Sequence, residues 1–312
     1  MSARELYSRQ DIYTRITASI VTQLERGVPP WAPAWSAAHP AGPITRPLRH
    51  AGQPYSGINV LSLWASAMAH GFAAPIWMTY RQAAELGGQV RKGEKGSPVV
   101  YANALTKTDT DAASGGEIEK TIRFLKGYTV FNAEQIDGLP AHYYAPPAPR
   151  SEMVVRIAHA EAFFAATGAA INHGGTCAFY RPATDSIQMP PFEAFRDAES
   201  YYATLAHEAT HWTAAAARCD RQFDGKRFGS EGYAMEELVA ELGSAFLCAD
   251  LDLALEPRED SASYIASWLE VLKGDNRAIF TAASHAQCAT DYLAKFQPRL
   301  PQAAEPPDAE AA

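Results

Sequence analysis

Apolar residues recur at helical spacing near the start of the chain, with polar residues between them. The four positions are Ile12, Ile16, Ile20 and Leu24. Side chains at every fourth position share one face of a helix, so the pattern predicts a helix over residues 7–26. Gly27 and the pair Pro29–Pro30 are expected to end it, because glycine and proline interrupt helical hydrogen bonding.

The rest of the first half predicts two more helices and a pair of strands. Glycines follow the predicted helices at residues 59–70 and 79–86, and Thr79 is positioned to cap the second one. A basic turn over residues 90–96 precedes segments rich in β-branched and aromatic residues, which favour strands. The predicted strands, and the exposed polar loop between them, occupy residues 98–101, 121–132 and 106–120.

The second half predicts mainly helices, which makes the whole chain an α+β protein. Helices are expected at residues 151–167, 197–217, 234–250, 260–273 and 276–296, and short strands at residues 178–180 and 186–189. The proline-rich residues 141–150 predict a linker between a domain at 1–140 and a second domain at 151–297. Residues 298–312 are rich in proline, alanine and glutamate, and we expect them to be disordered.

Composition agrees with a folded chain, and charge separates its two halves. Hydrophobic residues make up 47% of the 312 residues, which is enough for a core, and no apolar run reaches the length of a bilayer. The first residues lack the apolar segment of a signal peptide, so we expect a cytoplasmic protein without membrane contact. Residues 1–150 carry 15 basic and 11 acidic residues, a charge of +4, whereas residues 151–312 carry 12 and 24, a charge of −12. This asymmetry favours different partners for the two halves, although two ordinary domains also differ by chance.

Residues 207–211, His-Glu-Ala-Thr-His, match the HExxH motif of zinc peptidases. Histidines four residues apart lie on one face of a helix, so both imidazoles can bind one ion. Glu208 lies one residue along, where it can take a proton from water without binding the metal. The alternative is a pair of surface histidines, but the apolar neighbours Leu205 and Trp212 speak against it. The four cysteines have no CxxC spacing, which argues against a cysteine zinc site.

Zinc needs a third protein ligand, and the acidic segment at residues 236–241 can supply it. Ala217 stands where a metzincin has its third histidine, so that pattern fails. Glu237 and Glu241 share a helix face, and this layout resembles that of gluzincins. We therefore predict Glu237 as the ligand and Glu241 as the group that orients a ligand histidine. Glu236 is the main alternative ligand, and a solvated acidic face is the alternative for the whole segment.

Hydrolysis at such a site also needs a group that stabilises negative charge on the attacked carbonyl oxygen. The sequence offers four candidates and does not choose between them: Arg221, Tyr233, Tyr264 and His285. The strand before the motif, at residues 186–190, would either bind an extended peptide along its edge or be an ordinary core strand.

Aromatic and basic residues alternate through the first half, as in proteins that hold single-stranded nucleic acid. In such proteins cations follow the phosphates and exposed rings stack on the bases. The candidate residues are Trp31, Arg46, Tyr55, Trp77, Arg91, Lys92 and Lys95. The alternative is that the aromatic residues fill the core and that the basic turn is only solvated.

Short motifs follow one another along both halves in an order that carries a family likeness. They lie at residues 27–31, 54–59, 77–80, 90–96, 128–132, 180–190, 207–211 and 236–241. Over roughly residues 5–295 the chain resembles the ArdC antirestriction proteins of conjugative plasmids, and also the N-terminal part of TraC-type plasmid primases.

The resemblance implies an α+β first domain that binds single-stranded DNA without strong sequence preference. It also implies a mainly helical, zincin-like second domain with bound Zn²⁺, similar to the protease domains of DNA-associated metallopeptidases. The implied role is to protect incoming plasmid DNA from host restriction, with DNA-associated proteins as candidate substrates. Two other functions fit the residues: a DNA-binding protein with a structural or silent zinc site, and a soluble zinc peptidase whose first domain binds protein substrate.

Overall fold

Helices and short sheets alternate along the part of the chain that the computed structural model describes, which is residues 3–31, 45–110, 117–144, 153–223, 230–253 and 261–298. The helices are α1 (Ala3–Glu25), α2 (Ile58–His70), α3 (Tyr80–Glu85), α4 (Met153–Ala166), α5 (Ala198–Trp212), α6 (Glu231–Asp250), α7 (Ser261–Gly274) and α8 (Ala278–Ala294). The strands are β1 (Leu48–Arg49), β2 (Ile76–Met78), β3 (Gln89–Val90), β4 (Ser97–Thr110), β5 (Glu117–Asn132), β6 (Ile136–Asp137), β7 (Ala170–His173), β8 (Phe179–Arg181) and β9 (Ser186–Met189).

The predicted α+β class is confirmed, and the short helix α3 shows how local sequence sets an element. The hydroxyl of Thr79 accepts a hydrogen bond from the backbone N–H of Gln82, and the Gln82 side chain accepts one from the N–H of Thr79. This reciprocal cap satisfies two donors that have no partner inside the helix. It explains why a helix of only six residues begins where the sequence predicts.

The loop predicted at residues 106–120 was too long, because both strands of the hairpin continue into it. β4 runs to Thr110 and pairs in antiparallel register with β5, with Thr110 opposite Glu117. Residues 111–116 lie outside the described residues. The polar, threonine-rich sequence indicated a loop, but threonine also favours strands when a cross-strand partner is present.

Two ends of the second-half helices also differ from prediction. α5 ends at Trp212 rather than at residue 217, and turns follow it. α6 begins before residue 234, because the hydroxyl of Ser230 accepts a hydrogen bond from the N–H of Tyr233 and caps the helix there. The strands β2, β3, β6 and β7 were not predicted, since two to four residues carry little periodic signal.

The largest apolar core joins the two halves of the chain. The predicted stripe of α1 is buried in it, together with side chains of α2 and of the second-half helices α6, α7 and α8. Trp31, for example, contacts Trp268 of α7 edge to face, with ring centroids 5.8 Å apart. The division of the chain at residues 141–150 stays a prediction, and separating the two halves there would expose this shared core to water. Residues 145–150 of the predicted linker and residues 299–312 of the predicted tail lie outside the described residues.

A second core lies under a small sheet with the strand order β7-β9-β8. β9 pairs with β7 in parallel and with β8 in antiparallel register, so both of its edges are occupied. Of the two possibilities for residues 186–190, the ordinary core strand is therefore correct. Both β8 and β9 contact the predicted active helix, and β8 lies at the edge of the sheet.

A close contact between α5 and α6 places the two site-bearing helices against each other. A Cβ atom on Gly243 would lie 2.5 Å from the Thr210 side chain, so only glycine allows this approach. Beside it, the hydroxyl of Ser244 donates a hydrogen bond to the carbonyl of Ala203. Within the described ranges, no helix combines the length and the apolar character that crossing a membrane requires.

Candidate metal centre

Two adjoining helices bring the predicted metal ligands together. His207 and His211 lie one turn apart on α5, and Glu237 extends from α6. Asp197 caps the start of α5 by accepting a hydrogen bond from the N–H of Ser200, and no glycine or proline interrupts the helix through the motif. In the part of the chain that the structure describes, these three residues form the group whose donor atoms lie close enough together to hold one ion, all within 4.8 Å of one another.

The donor atoms have the spacing that a tetrahedral ion requires. His207 Nε2 lies 3.1 Å from His211 Nε2, and the Glu237 carboxylate oxygens lie 3.5 and 3.6 Å from these two nitrogens. Ligand bonds of about 2.0–2.1 Å at tetrahedral angles place neighbouring donors roughly 3.3–3.4 Å apart. His207 and Glu237 are buried and His211 is half-buried. The residues present therefore fit a divalent ion, and their role as its ligands stays a prediction.

Glu236 lies behind His211, away from the point where the three donors meet. Its carboxylate is 3.0 Å from His211 Nδ1 and accepts two hydrogen bonds of 2.7 Å from Arg221, which is itself buried. Burial raises the pKa of Glu236, but Arg221 and His211 outweigh it and lower the pKa to about 2. Burial likewise opposes the charge on His211, whereas Glu236 and Glu237 raise its pKa to about 10. The geometry thus favours Glu236 as an orienting group and Glu237 as the ligand.

Glu241, predicted to orient a histidine, lies behind His207 in the corresponding place. Its carboxylate oxygen is 3.9 Å from His207 Nδ1, which is longer than the contact of Glu236 with His211. Each imidazole therefore has a carboxylate on its Nδ1 side. The sequence indicated only Glu241 for this role, because the contact of Glu236 depends on Arg221, which reaches it from the segment between α5 and α6.

Glu208 is held at the edge of the small sheet and not among the three converging donors. Its Oε2 atom accepts a hydrogen bond of 2.9 Å from the backbone N–H of Tyr180 in β8. The side chain is only 3% exposed, so this bond replaces water at one carboxylate oxygen. The arrangement fixes a carboxylate beside the candidate metal position, as a general base requires.

A cleft of about 400 Å³ opens onto the site between β8 and the helices. Its lining includes Phe179, Tyr180, His207, Glu208, His211, Arg221, Tyr233, Glu237 and Tyr264. The hydroxyls of Tyr233 and Tyr264 lie 3.1 Å apart. Burial, together with Tyr264 and Glu237, raises the pKa of Tyr233, so its hydroxyl stays a proton donor. Of the four candidates for stabilising negative charge, these two are best placed, because the Arg221 guanidinium binds Glu236 and the His285 ring packs edge to face with Phe223.

The candidate residues for DNA binding divide sharply by exposure. Trp31, Tyr55 and Trp77 are 1%, 7% and 2% exposed, so no base can stack on their rings, and their prediction as stacking residues is corrected. Burial raises the pKa of Tyr55 to about 12. Arg46 is buried as well: it forms a two-pronged ion pair with Asp250 and lies over the ring of Phe246. These side chains stabilise the shared core instead of facing a ligand.

The basic turn between β3 and β4 keeps its charges at the surface. Lys92 and Lys95 are exposed, while Arg91 forms ion pairs with Glu94 and Asp137. Sequence reasoning missed the exposed ring of Tyr101 in the adjoining hairpin. It left Tyr128, which belongs to the same aromatic and basic pattern, out of the candidate residues; the two rings are 44% and 37% exposed. Their place on a strand was predicted, but alternation alone does not show which strand face meets water.

Comparison with known proteins matches two segments of the chain to two families. Residues 10–131 match the profile of the N-terminal domain of anti-restriction factor ArdC, and residues 158–285 match that of a zincin-like metallopeptidase. The crystal structure of the antirestriction protein ArdC from plasmid R388, in its metal-free form, aligns over 92% of this chain and 97% of that one, with 47% sequence identity and a TM-score of 0.75. The chain belongs to the ArdC family.

Other relatives extend the likeness of this ArdC-family chain. The Mn(II)-bound structure of R388 ArdC aligns with 44% identity and a TM-score of 0.73 over 91% of this chain and 97% of that one, which implies a divalent metal for the fold. Protein y4eC of Sinorhizobium fredii is 49% identical over 91% of both chains. The DNA primase TraC of Escherichia coli is 40% identical over 93% of this chain, which spans only 27% of the primase.

Proposed function

We propose that this ArdC-family protein combines a zinc peptidase site with a surface that binds single-stranded DNA, and that it protects incoming plasmid DNA from host restriction. The observation that carries the peptidase half is the pairing of two features. His207, His211 and Glu237 converge on one point, and Glu208 is held beside it by the backbone of β8. Proteins bound to the transferred DNA are the proposed substrates, because cleaving them would use both the DNA-binding surface and the peptidase site.

The chain's own groups provide the steps of hydrolysis around such an ion. Zn²⁺ held by His207, His211 and Glu237 would supply Lewis-acid activation of water and of a peptide carbonyl. Glu208 takes the proton of the attacking water and delivers it to the leaving amine. The hydroxyls of Tyr233 and Tyr264 line the cleft and donate hydrogen bonds to the carbonyl oxygen as negative charge develops there.

The substrate peptide would lie along β8, which borders the cleft. In the described part of the chain, this strand pairs with β9 alone. The N–H of Tyr180 already donates to Glu208, so an extended segment that pairs with the other edge would have to share or replace this bond. Phe179 is exposed on the same strand and offers an apolar contact to a substrate side chain.

The peptidase half is tested by Glu208→Gln in the full-length protein, with fluorescently labelled unfolded casein as the probe. The amide keeps the shape of the side chain but cannot take a proton, so we expect cleavage to fall about 10²–10⁴-fold with zinc content unchanged. Equal cleavage by the variant would rule out Glu208 as the base. If Glu208→Gln keeps both zinc and full antirestriction in cells, the alternative of a silent metal site replaces the peptidase.

The DNA-binding half rests on one face of the β4–β5 hairpin. Tyr101 lies opposite Lys126 in the register, and Tyr128 follows two residues along the same strand face, with the Lys126 ammonium 5.0 Å from its ring. Two exposed rings with a cation between them form a platform on which unpaired bases stack, and Lys92 and Lys95 add positive charge on the turn that leads into β4.

Fluorescence anisotropy with a labelled single-stranded oligonucleotide tests this surface in the full-length protein. The double variant Tyr101→Ala/Tyr128→Ala should weaken binding by at least about tenfold, since stacking contributes roughly 1–3 kcal/mol per base. Phe192→Ala, which removes an exposed ring from the second half, serves as the matched control. Unchanged affinity in the double variant, or an equal loss in the control, would reject the hairpin as the binding surface.

A further inference from the structure

Two cysteines far apart in the sequence meet beside the segment that supports the metal centre. Cys219 lies in the turns after α5, and Cys288 lies on α8, 69 residues later. Both are free thiols, and their sulfur atoms are 3.2 Å apart. A disulfide needs the sulfurs at about 2.05 Å, so a movement of roughly 1 Å would join them.

The segment that carries Cys219 also carries Arg221. The N–H of Cys219 donates to the carbonyl of Thr213, and the N–H of Arg221 donates to that of Ala214, so the chain folds back on the end of α5. The Arg221 guanidinium then holds the carboxylate of Glu236 behind a candidate metal ligand. A restraint on this segment therefore also restrains Arg221, which positions Glu236 behind the candidate ligand.

We propose that Cys219 and Cys288 form a reversible disulfide that tethers the segment at residues 213–223 to α8. With hydrogen peroxide as oxidant, one thiol attacks the peroxide to give a sulfenic acid and water, and the other thiol displaces a second water to form the S–S bond. Both sulfurs are oxidised and both peroxide oxygens are reduced, and the two thiol protons leave in the water. A small disulfide oxidant gives the same bond by exchange and releases two small thiols.

Exposure sets the order of the two steps. Cys288 is exposed and meets the oxidant first, whereas Cys219 is half-buried and resolves the intermediate. Burial and the neighbouring Cys288 raise the pKa of the Cys219 thiol to about 11, which keeps it protonated until it reacts. The other two cysteines differ from each other in exposure: Cys177 is exposed near β8, and Cys248 is buried in α6.

The test equilibrates the full-length protein in glutathione buffers from reducing to oxidising, alkylates the remaining thiols, and maps the peptides by mass spectrometry. We expect an intramolecular link between the Cys219 and Cys288 peptides, with a mass loss of about 2 Da. The link should persist in Cys177→Ser and be absent in Cys288→Ser and Cys219→Ser. Alkylation of both thiols under oxidising conditions, or a link that involves Cys177 equally often, would overturn the proposal.

Hydrogen exchange tests the tether itself and does not depend on any peptidase activity. Amides of residues 213–223 should exchange severalfold more slowly in the oxidised than in the reduced protein, because a cross-link limits local opening. The difference should vanish in Cys288→Ser, a substitution at an exposed position that leaves the fold intact. Equal exchange in the oxidised and reduced wild type would show that the bond does not restrain the segment.

Discussion

The candidate metal centre and the β4–β5 hairpin, the proposed DNA-binding surface, are determined by different properties of the chain. At the metal centre, His207 and His211 share a helix face because four residues make about one turn, and the fold only has to bring α6 alongside. At the hairpin, the decisive property is exposure, and exposure depends on which surfaces the rest of the chain covers. Trp77 and Tyr101 are both aromatic residues on strands of one sheet, yet one is 2% and the other 44% exposed.

A chemical motif is therefore easier to recognise in a sequence than a binding surface. In a helix that bears a motif, the spacing of residues along the sequence determines which side chains share a face. A stacking platform uses the same residue types as a core, so composition alone does not separate them. The following substitutions test this contrast.

The largest expected effect is on stability, and it separates buried from exposed rings. Trp77→Ala should lower the free energy of unfolding by about 3–5 kcal/mol, because it empties a fully packed site. Tyr101→Ala should change it by less than about 0.5 kcal/mol, as is usual at exposed positions. Urea unfolding of both variants makes the comparison. A mild loss in Trp77→Ala would mean that this ring does not belong to the core.

A second substitution acts on the contact between the two site-bearing helices. Gly243→Ala puts a Cβ atom 2.5 Å from the Thr210 side chain, and we expect the free energy of unfolding to fall by about 1–3 kcal/mol from overpacking. Gly274→Ala at the end of α7 is the control, because nothing lies within 4 Å of its added Cβ. Thermal unfolding should show a loss in the first variant and none in the second; similar behaviour would contradict the close packing of α5 on α6.

A third substitution distinguishes the two carboxylates behind the histidines. Glu236→Gln should weaken zinc binding by about 10–100-fold, since groups that orient a ligand have effects of that size. Glu241→Gln should have a smaller effect, because its contact with a ring nitrogen is 3.9 Å rather than 3.0 Å. Competition with a chromophoric chelator measures both affinities. A larger loss in Glu241→Gln would reverse the assigned order.

The smallest expected effect concerns the basic turn. Lys92→Ala combined with Lys95→Ala should reduce the slope of log affinity against log salt for single-stranded DNA by about 1.4, or roughly 0.7 for each phosphate that a lysine no longer neutralises. Arg46→Ala should leave that slope unchanged, because Arg46 binds Asp250 inside the fold. Anisotropy titrations at several salt concentrations give both slopes, and a slope that responds to Arg46 but not to the lysines would contradict the assignment.

Sequence reasoning located the helices and the HExxH side chains because both depend on local spacing. It reached Glu237 through a resemblance to the gluzincin layout. A carboxylate oxygen of Glu237 lies within 4.8 Å of the donor nitrogens of both histidines, and the role of Glu237 as a ligand stays a prediction. It did not find the link from Arg221 through Glu236 to His211, since that link depends on how the segment after α5 turns back. It also misassigned Trp31, Tyr55 and Trp77, because burial of the first half against α6, α7 and α8 is a property of the whole fold.

The most direct test of the metal centre is the zinc content per chain, measured by inductively coupled plasma mass spectrometry after loading with excess zinc. The wild type should bind about one ion. His211→Ala and Glu237→Ala should bind none, and Glu236→Gln should still bind about one at saturation, because only its affinity is lowered. A wild type without zinc, or a Glu237→Ala variant that retains it, would contradict the site formed by His207, His211 and Glu237.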